Sequence, residues 1–68
     1  MLNVDMLRSE IERSGLKKKF IASQLGLSAY GFALKADGKR EFTASEIKVL
    51  CETLGITQLT KINAIFFA

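Results

Sequence analysis

Lys17, Lys18 and Lys19 carry the densest charge in the chain. They stand where a helix over residues 18–25 is expected to begin, at the positive end of its dipole. A cation there is unfavourable by about 0.3–1 kcal/mol, the reverse of the usual preference for anions. A phosphate placed at that end turns the cost into a favourable contact. Lys39 and Arg40, just past a second expected helix, form another pair suited to a phosphate backbone. The plainer alternative for both groups is a solvated, solubilising face. Arg8, Arg13, Lys48 and Lys61 are read as ordinary surface charges.

Catalysis finds little to work with. The chain has no histidine and one cysteine. Cys51 falls in phase with Ile47, Leu50 and Leu54, so it belongs to the apolar stripe of a helix. A buried cysteine behaves as a small hydrophobe and is usually inert. The carboxylates show no pairing that reads as an acid–base site. Metal ligation needs several Cys or His at ordered spacing. An enzyme, a metal centre and a cofactor site are therefore not expected.

With 68 residues the chain makes a single domain, residues 1–68, of modest stability. Its 49% hydrophobic content suffices for a small helical core, and no proline interrupts the helices. A net charge of +3 and a pI near 9.3 are compatible with nucleic acid without requiring it. One cysteine excludes a disulfide within the chain and points to a cytoplasmic setting. No apolar run approaches the roughly 20 residues of a membrane span. The first residues, MLNVDMLRSE, carry acids early and lack a signal-peptide core.

Five helices must position these groups. Over residues 4–14, Val4, Leu7 and Ile11 share a face, Asn3 caps the start, and Asp5 and Glu10 to Glu12 leave the outer face charged. Gly15 ends this helix, and Leu16 is expected to fold back into the core. Ile21, Ala22 and Leu25 form the stripe of a helix over residues 18–25. Gly26 follows, where a left-handed residue is needed and glycine adopts it freely. Ser28 caps a third helix over residues 29–36, whose inward residues are Phe32 and Ala36. Two short helices joined by a glycine-containing turn make a helix-turn-helix candidate. Gly38 stops the third helix. Residues 37–43 form a loop anchored by Phe42. Thr43 and Glu46 form a capping box for a helix over residues 44–54, and Gly55 ends it. Thr57 is expected to cap a fifth helix over residues 58–66, with Leu59, Ile62, Ile65 and Phe66 as apolar positions.

Ala22, Leu25, Gly26, Leu27, Ser28, Phe32 and Gly38 resemble the pattern A-x-x-L-G-hydrophobic-S-x-x-x-hydrophobic-x-x-x-x-x-G. That pattern belongs to the Cro and repressor-type helix-turn-helix family of temperate phages and bacterial regulators. GKREFTASEIKVL and INAIFF also resemble small Cro-like phage proteins of Gram-positive hosts. The resemblance implies an all-α, five-helix, lambda-repressor-like DNA-binding domain, working in the bacterial cytoplasm on a double-stranded operator. It implies that Lys17, Lys18 and Lys19 meet the DNA backbone. It makes the third helix the recognition helix, with Ser28, Ala29, Tyr30, Gly31, Leu34 and Lys35 near the major groove. Tyr30 and Lys35 are its polar readers. Ala29, Ala33 and Leu34 offer only methyl contacts, for example to thymine. Gly31 within a helix costs roughly 1 kcal/mol, which a close approach to DNA or to the second helix would explain.

The sequence departs from the family in two places. Relatives more often carry a Ser or Thr cap and Gln where Lys17 and Lys18 stand. They also tend to carry polar readers at the positions of Ala29 and Ala33. Tyr30 and Leu34 are therefore also compatible with a protein partner. Small phage proteins of the modulator-of-repression type act on a lysogeny repressor and set the alternative to an operator-binding repressor. The resemblance further implies a homodimer on paired half-sites roughly 34 Å apart. Ile62, Ile65, Phe66 and Phe67 are the candidate dimer or partner interface. The other reading packs Phe66 inside and leaves Phe67 covering the hydrophobic edge.

Overall fold

A computed structural model describes residues 1–68 as five helices: α1 Val4–Ser14, α2 Lys18–Gln24, α3 Ala29–Ala36, α4 Ala44–Leu54 and α5 Leu59–Phe66. The architecture is all-α. No helix is long and apolar enough to cross a membrane.

Each boundary has a local cause. The Asn3 side chain accepts the Met6 N–H at 3.1 Å and starts α1. Leu7 and Ile11 then turn inward. At the end of α2, Leu27 N–H donates to the Ala22 carbonyl at 2.9 Å and Gly26 N–H to the Ser23 carbonyl at 3.1 Å. This paired closure requires a left-handed residue between them, and Gly26 supplies it at φ +71°. The Ser28 hydroxyl accepts the Gly31 N–H at 3.0 Å and starts α3. Thr43 and Glu46 form the expected reciprocal box at the start of α4.

The core centres on Leu7, Ile21, Phe32, Leu50 and Ile65, one from every helix. α1 packs on α3, α4 and α5, while α2 packs on α3 and α4. Phe42 anchors the α3–α4 loop as expected. Its ring lies 6.1 Å from Phe32 and, edge-on, 6.1 Å from Phe66. Cys51 is buried, and burial pushes its thiol up from the ordinary value. Asn3 N–H donates to the Ile65 carbonyl at 2.6 Å, and Ala68 N–H donates to the Met1 carbonyl at 3.1 Å. These bonds tie the start of the chain to the end of α5.

Several expectations are corrected. α2 stops at Gln24, one residue short, because Leu25 already serves as its C-cap. α5 starts at Leu59, with Gln58 rather than Thr57 at the cap position and no side-chain cap bond. Leu59 is exposed, on the side that no other helix covers. Leu16 does not fold back into the core. The Ser14 hydroxyl accepts its N–H at 3.1 Å, and the chain passes extended through Lys17 on the surface. Glu10, expected on the charged outer face, is only 8% exposed. Its phase lies beside Ile11, at the edge that α5 covers. Arg13 of α1 and Lys61 of α5 both pair with its carboxylate, Lys61 at 3.0 Å. These two cations, read as surface charges, together hold a buried acid and link α1 to α5.

Two carboxylates give stability a pH dependence. Arg13 beside Glu10 holds its carboxyl below the usual range, with Lys61 adding to the effect and burial opposing it. Lys35 does the same for Glu46, helped by the Thr43 backbone N–H. Both groups are ionised in the fold at a pH where the unfolded chain has begun to take up protons. Their stabilisation is complete above the unfolded carboxylate value of about 4.3 and is lost as pH falls through the lower folded values. The urea midpoint should hold between neutral pH and about pH 5 and then decline steeply. Glu10→Gln combined with Glu46→Gln should be less stable at neutral pH by about 2–4 kcal/mol and show a flatter acid limb. An unchanged acid limb would exclude these pairs as its source.

Candidate nucleic-acid interface

Lys17, Lys18 and Lys19 are all exposed. The ion pairs of the chain are Arg8–Asp5, Arg13–Glu10, Lys35–Glu46 and Lys61–Glu10, so none of the three lysines has a carboxylate partner. Lys17 occupies the cap position of α2 without a capping side chain, and no acid lies in the first turn. The first amides of α2 therefore lack a side-chain acceptor while three cations surround them. An anion satisfies both groups at once.

α3 lies directly against this basic start. A depression of about 120 Å³ is shared by Lys18 of α2, Arg8 of α1, Ala33 of α3 and Asp37, the residue that caps the end of α3. Leu7, Ile11 and Phe32 form its apolar floor. The tertiary structure thus brings Lys18 beside the outer face of α3, although ten or more residues separate them in sequence.

The outward face of α3 consists of Ala29, Tyr30, Ala33 and Asp37, at helical spacing. Tyr30 is 74% exposed. Three of the expected α3 positions are placed differently. Lys35 is not a free reader. Its side chain is 15% exposed, and Nζ donates to Glu46 Oε1 at 2.6 Å, tying α3 to the start of α4. Leu34 is half-buried. Within the chain Gly31 makes no close approach to α2; the atom an added Cβ would meet is Ser28 Oγ, at 3.2 Å, which the helix cap holds in place. The Ser28 oxygen is engaged by that cap, and its hydroxyl proton remains available to an acceptor.

Lys39 and Arg40 are exposed and unpaired. Arg40 does not line the Lys18 depression. It lines a separate groove with Phe42 and Phe67.

The C-terminal candidates divide. Ile65 is 0% exposed and Phe66 6%, so both belong to the core of their own chain and cannot interdigitate with a partner. Phe66 packs edge-on to Phe42, as the reading that places it inside expects, and Ile65 lies where α5 packs on α1, its carbonyl accepting the Asn3 N–H. Ile62 is half-buried, and only Phe67 stands clear at 63% exposed.

Arg8, expected to be an ordinary surface charge, joins the site, and so do Asp37 and Phe20, to which the sequence pattern assigns no role. Asp37 falls on the stripe of Ala29, Tyr30 and Ala33, so helical phase alone could have found it. Arg8 joins the site only through packing of α1 on α3. Phe20 is half-exposed beside the lysines, and nothing in its spacing announced that. No protein-family model, curated protein or solved structure matches the chain.

Proposed function

We propose that this chain is a sequence-specific DNA-binding transcriptional regulator of lambda-repressor-like fold, with α2 and α3 as its helix-turn-helix. One observation carries the reading: the unpaired, uncapped lysine start of α2 lies beside the exposed face of α3. Lys17, Lys18 and Lys19 neutralise backbone phosphates, with Lys39 as a further contact past α3. α3 enters the major groove. There Tyr30 supplies the hydrogen-bonding group, and Ala29 and Ala33 supply methyl contacts suited to thymine. Arg8 extends the backbone contact from α1. The chain works as a cytoplasmic homodimer that excludes polymerase from an operator, with no cofactor and no catalytic step.

The test is a fluorescence-anisotropy titration against DNA flanking the protein's own gene, beside random duplex, over a salt series. Binding to one site should exceed random DNA by about 10³-fold or more, with log K falling by about 0.9 per neutralised phosphate per decade of salt. Weak, equal binding to both duplexes would reject a specific operator.

A second reading has its own observation. With Lys35 paired to Glu46, the exposed face of α3 carries only Tyr30 and Asp37 as polar groups, and the Asp37 carboxylate repels phosphate. That composition suits a protein partner, such as a lysogeny repressor whose action the chain modulates. Loss of function in Tyr30→Ala with no effect of the lysines would favour it.

A further inference from the structure

The outward stripe of α3 ends on a charge that the free protein does not use. Asp37 follows Ala29, Tyr30 and Ala33 at helical spacing and is exposed. Its carboxylate has no ion-pair partner in the chain and accepts no hydrogen bond from another residue. It stands at the C-cap of α3, the negative end of the helix dipole, where an anion is unfavourable. Two cations line the same depression, Lys18 of α2 and Arg8 of α1, the latter loosely paired to Asp5 at 3.9 Å. Two positive charges against one negative leave this end of α3 attractive to DNA, yet a phosphate set against Asp37 itself is repelled. A carboxylate placed there gains only from a hydrogen-bond donor.

The major groove offers such donors on two bases, the N4 amino group of cytosine and the N6 amino group of adenine. Adenine sets its N7 acceptor beside N6, while guanine and thymine present acceptors and no donor. An ionised carboxylate can only accept, so a neighbouring acceptor repels it. Cytosine alone presents the donor with no acceptor on its own edge. We infer that Asp37 reads a cytosine in the operator, accepting a hydrogen bond from its N4 amino group while Arg8 and Lys18 hold neighbouring phosphates. The role rests on α3 as the recognition helix and adds an acceptor to its readers. Tyr30 and Asp37 are seven residues apart, so they lie on one side of the helix, about 10.5 Å apart along its axis. With α3 lying along the groove, that separation is about three base steps of roughly 3.4 Å. The cytosine therefore stands about three pairs from the base that Tyr30 contacts.

Selection of sites from a library of random duplexes tests this, followed by anisotropy titrations on four duplexes that differ only at the selected cytosine. The wild type should prefer C·G there by about tenfold over the other three pairs. Asp37→Asn should move the preference to adenine, because the amide accepts and donates and matches N6 and N7 together. The same variant should bind random duplex about threefold more tightly, since the repelling charge is gone. Its melting temperature should equal or slightly exceed that of the wild type, which separates a change of base from damage to the fold. Tyr30→Phe should relax discrimination at a pair about three steps away, and relaxation at the cytosine itself would overturn the placement. The same preferred base for wild type and Asp37→Asn overturns the role of Asp37 while an operator-binding regulator stands. A wild type that selects no site overturns both.

Discussion

Gly26→Val should lower the melting temperature by about 10–20 °C or leave the chain unfolded. Gly26 sits at φ +71°, in the left-handed region. An L-residue there costs roughly 1–2 kcal/mol, and a β-branched one more. A domain of this size holds about 3–10 kcal/mol in total, and each kcal/mol moves its melting point by about 4–8 °C. The loss is conformational rather than steric, because a Cβ at Gly26 would meet no atom within 4 Å. That distinction sharpens the experiment. Gly26→Asn, which tolerates the left-handed region, should lose clearly less than Gly26→Val. A synthetic chain with D-alanine at position 26 should melt at or slightly above wild type, since it keeps the turn and narrows the unfolded ensemble. Thermal melts followed by circular dichroism decide the matter. Equal melting points for Val and wild type would mean that the turn between α2 and α3 does not depend on this backbone conformation.

The largest functional effect is expected from replacing Lys17, Lys18 and Lys19 together by alanine. In the proposed complex each lysine neutralises a phosphate, so the slope of log K against log salt should flatten by about one for each phosphate left without its lysine. Affinity at low salt should fall on the order of 10–100-fold, alike on an operator and on random duplex, because phosphates carry no sequence. Stability should move the other way. Cations at the positive end of α2 are unfavourable, so the triple variant should melt at or above the wild-type temperature. Weaker binding by a protein at least as stable cannot be explained by damage to the fold. An unaltered slope would place the three lysines in free solvent and remove the main support for DNA as the target.

Lys35 shows how the same residue type is decided differently. It lies on α3, where helical phase reads it as outward and the family resemblance makes it a reader of the major groove. Glu46, already the capping residue of α4, lies within reach and takes it at 2.6 Å. Lys18 has no carboxylate near enough and remains free. The spacing of lysines in the chain does not distinguish the two cases. The position of α4 against α3 does.

Sequence by itself determined the elements and where they end. Asn3, Ser28 and Thr43 cap helices within three residues of themselves, and the glycine after α2 closes its helix through bonds spanning five residues. Such interactions are local, so they stand in the sequence as spacing. The burial of Leu7, Ile11, Phe32, Leu50 and Cys51 was equally legible, because each sits mid-stripe and stays inside however its helix rotates by a few degrees. Residues at the margins of a stripe were decided only by the tertiary structure. Glu10 is buried because α5 covers that margin of α1 and Lys61 comes with it. Leu16 and Leu59 stay outside because no helix packs over them, and Phe66 is core because the α3–α4 loop sets Phe42 against its ring. Lys18, Arg8 and the face of α3 share one surface for the same reason: which margin is covered depends on a neighbour distant in sequence, and periodicity holds no record of that neighbour.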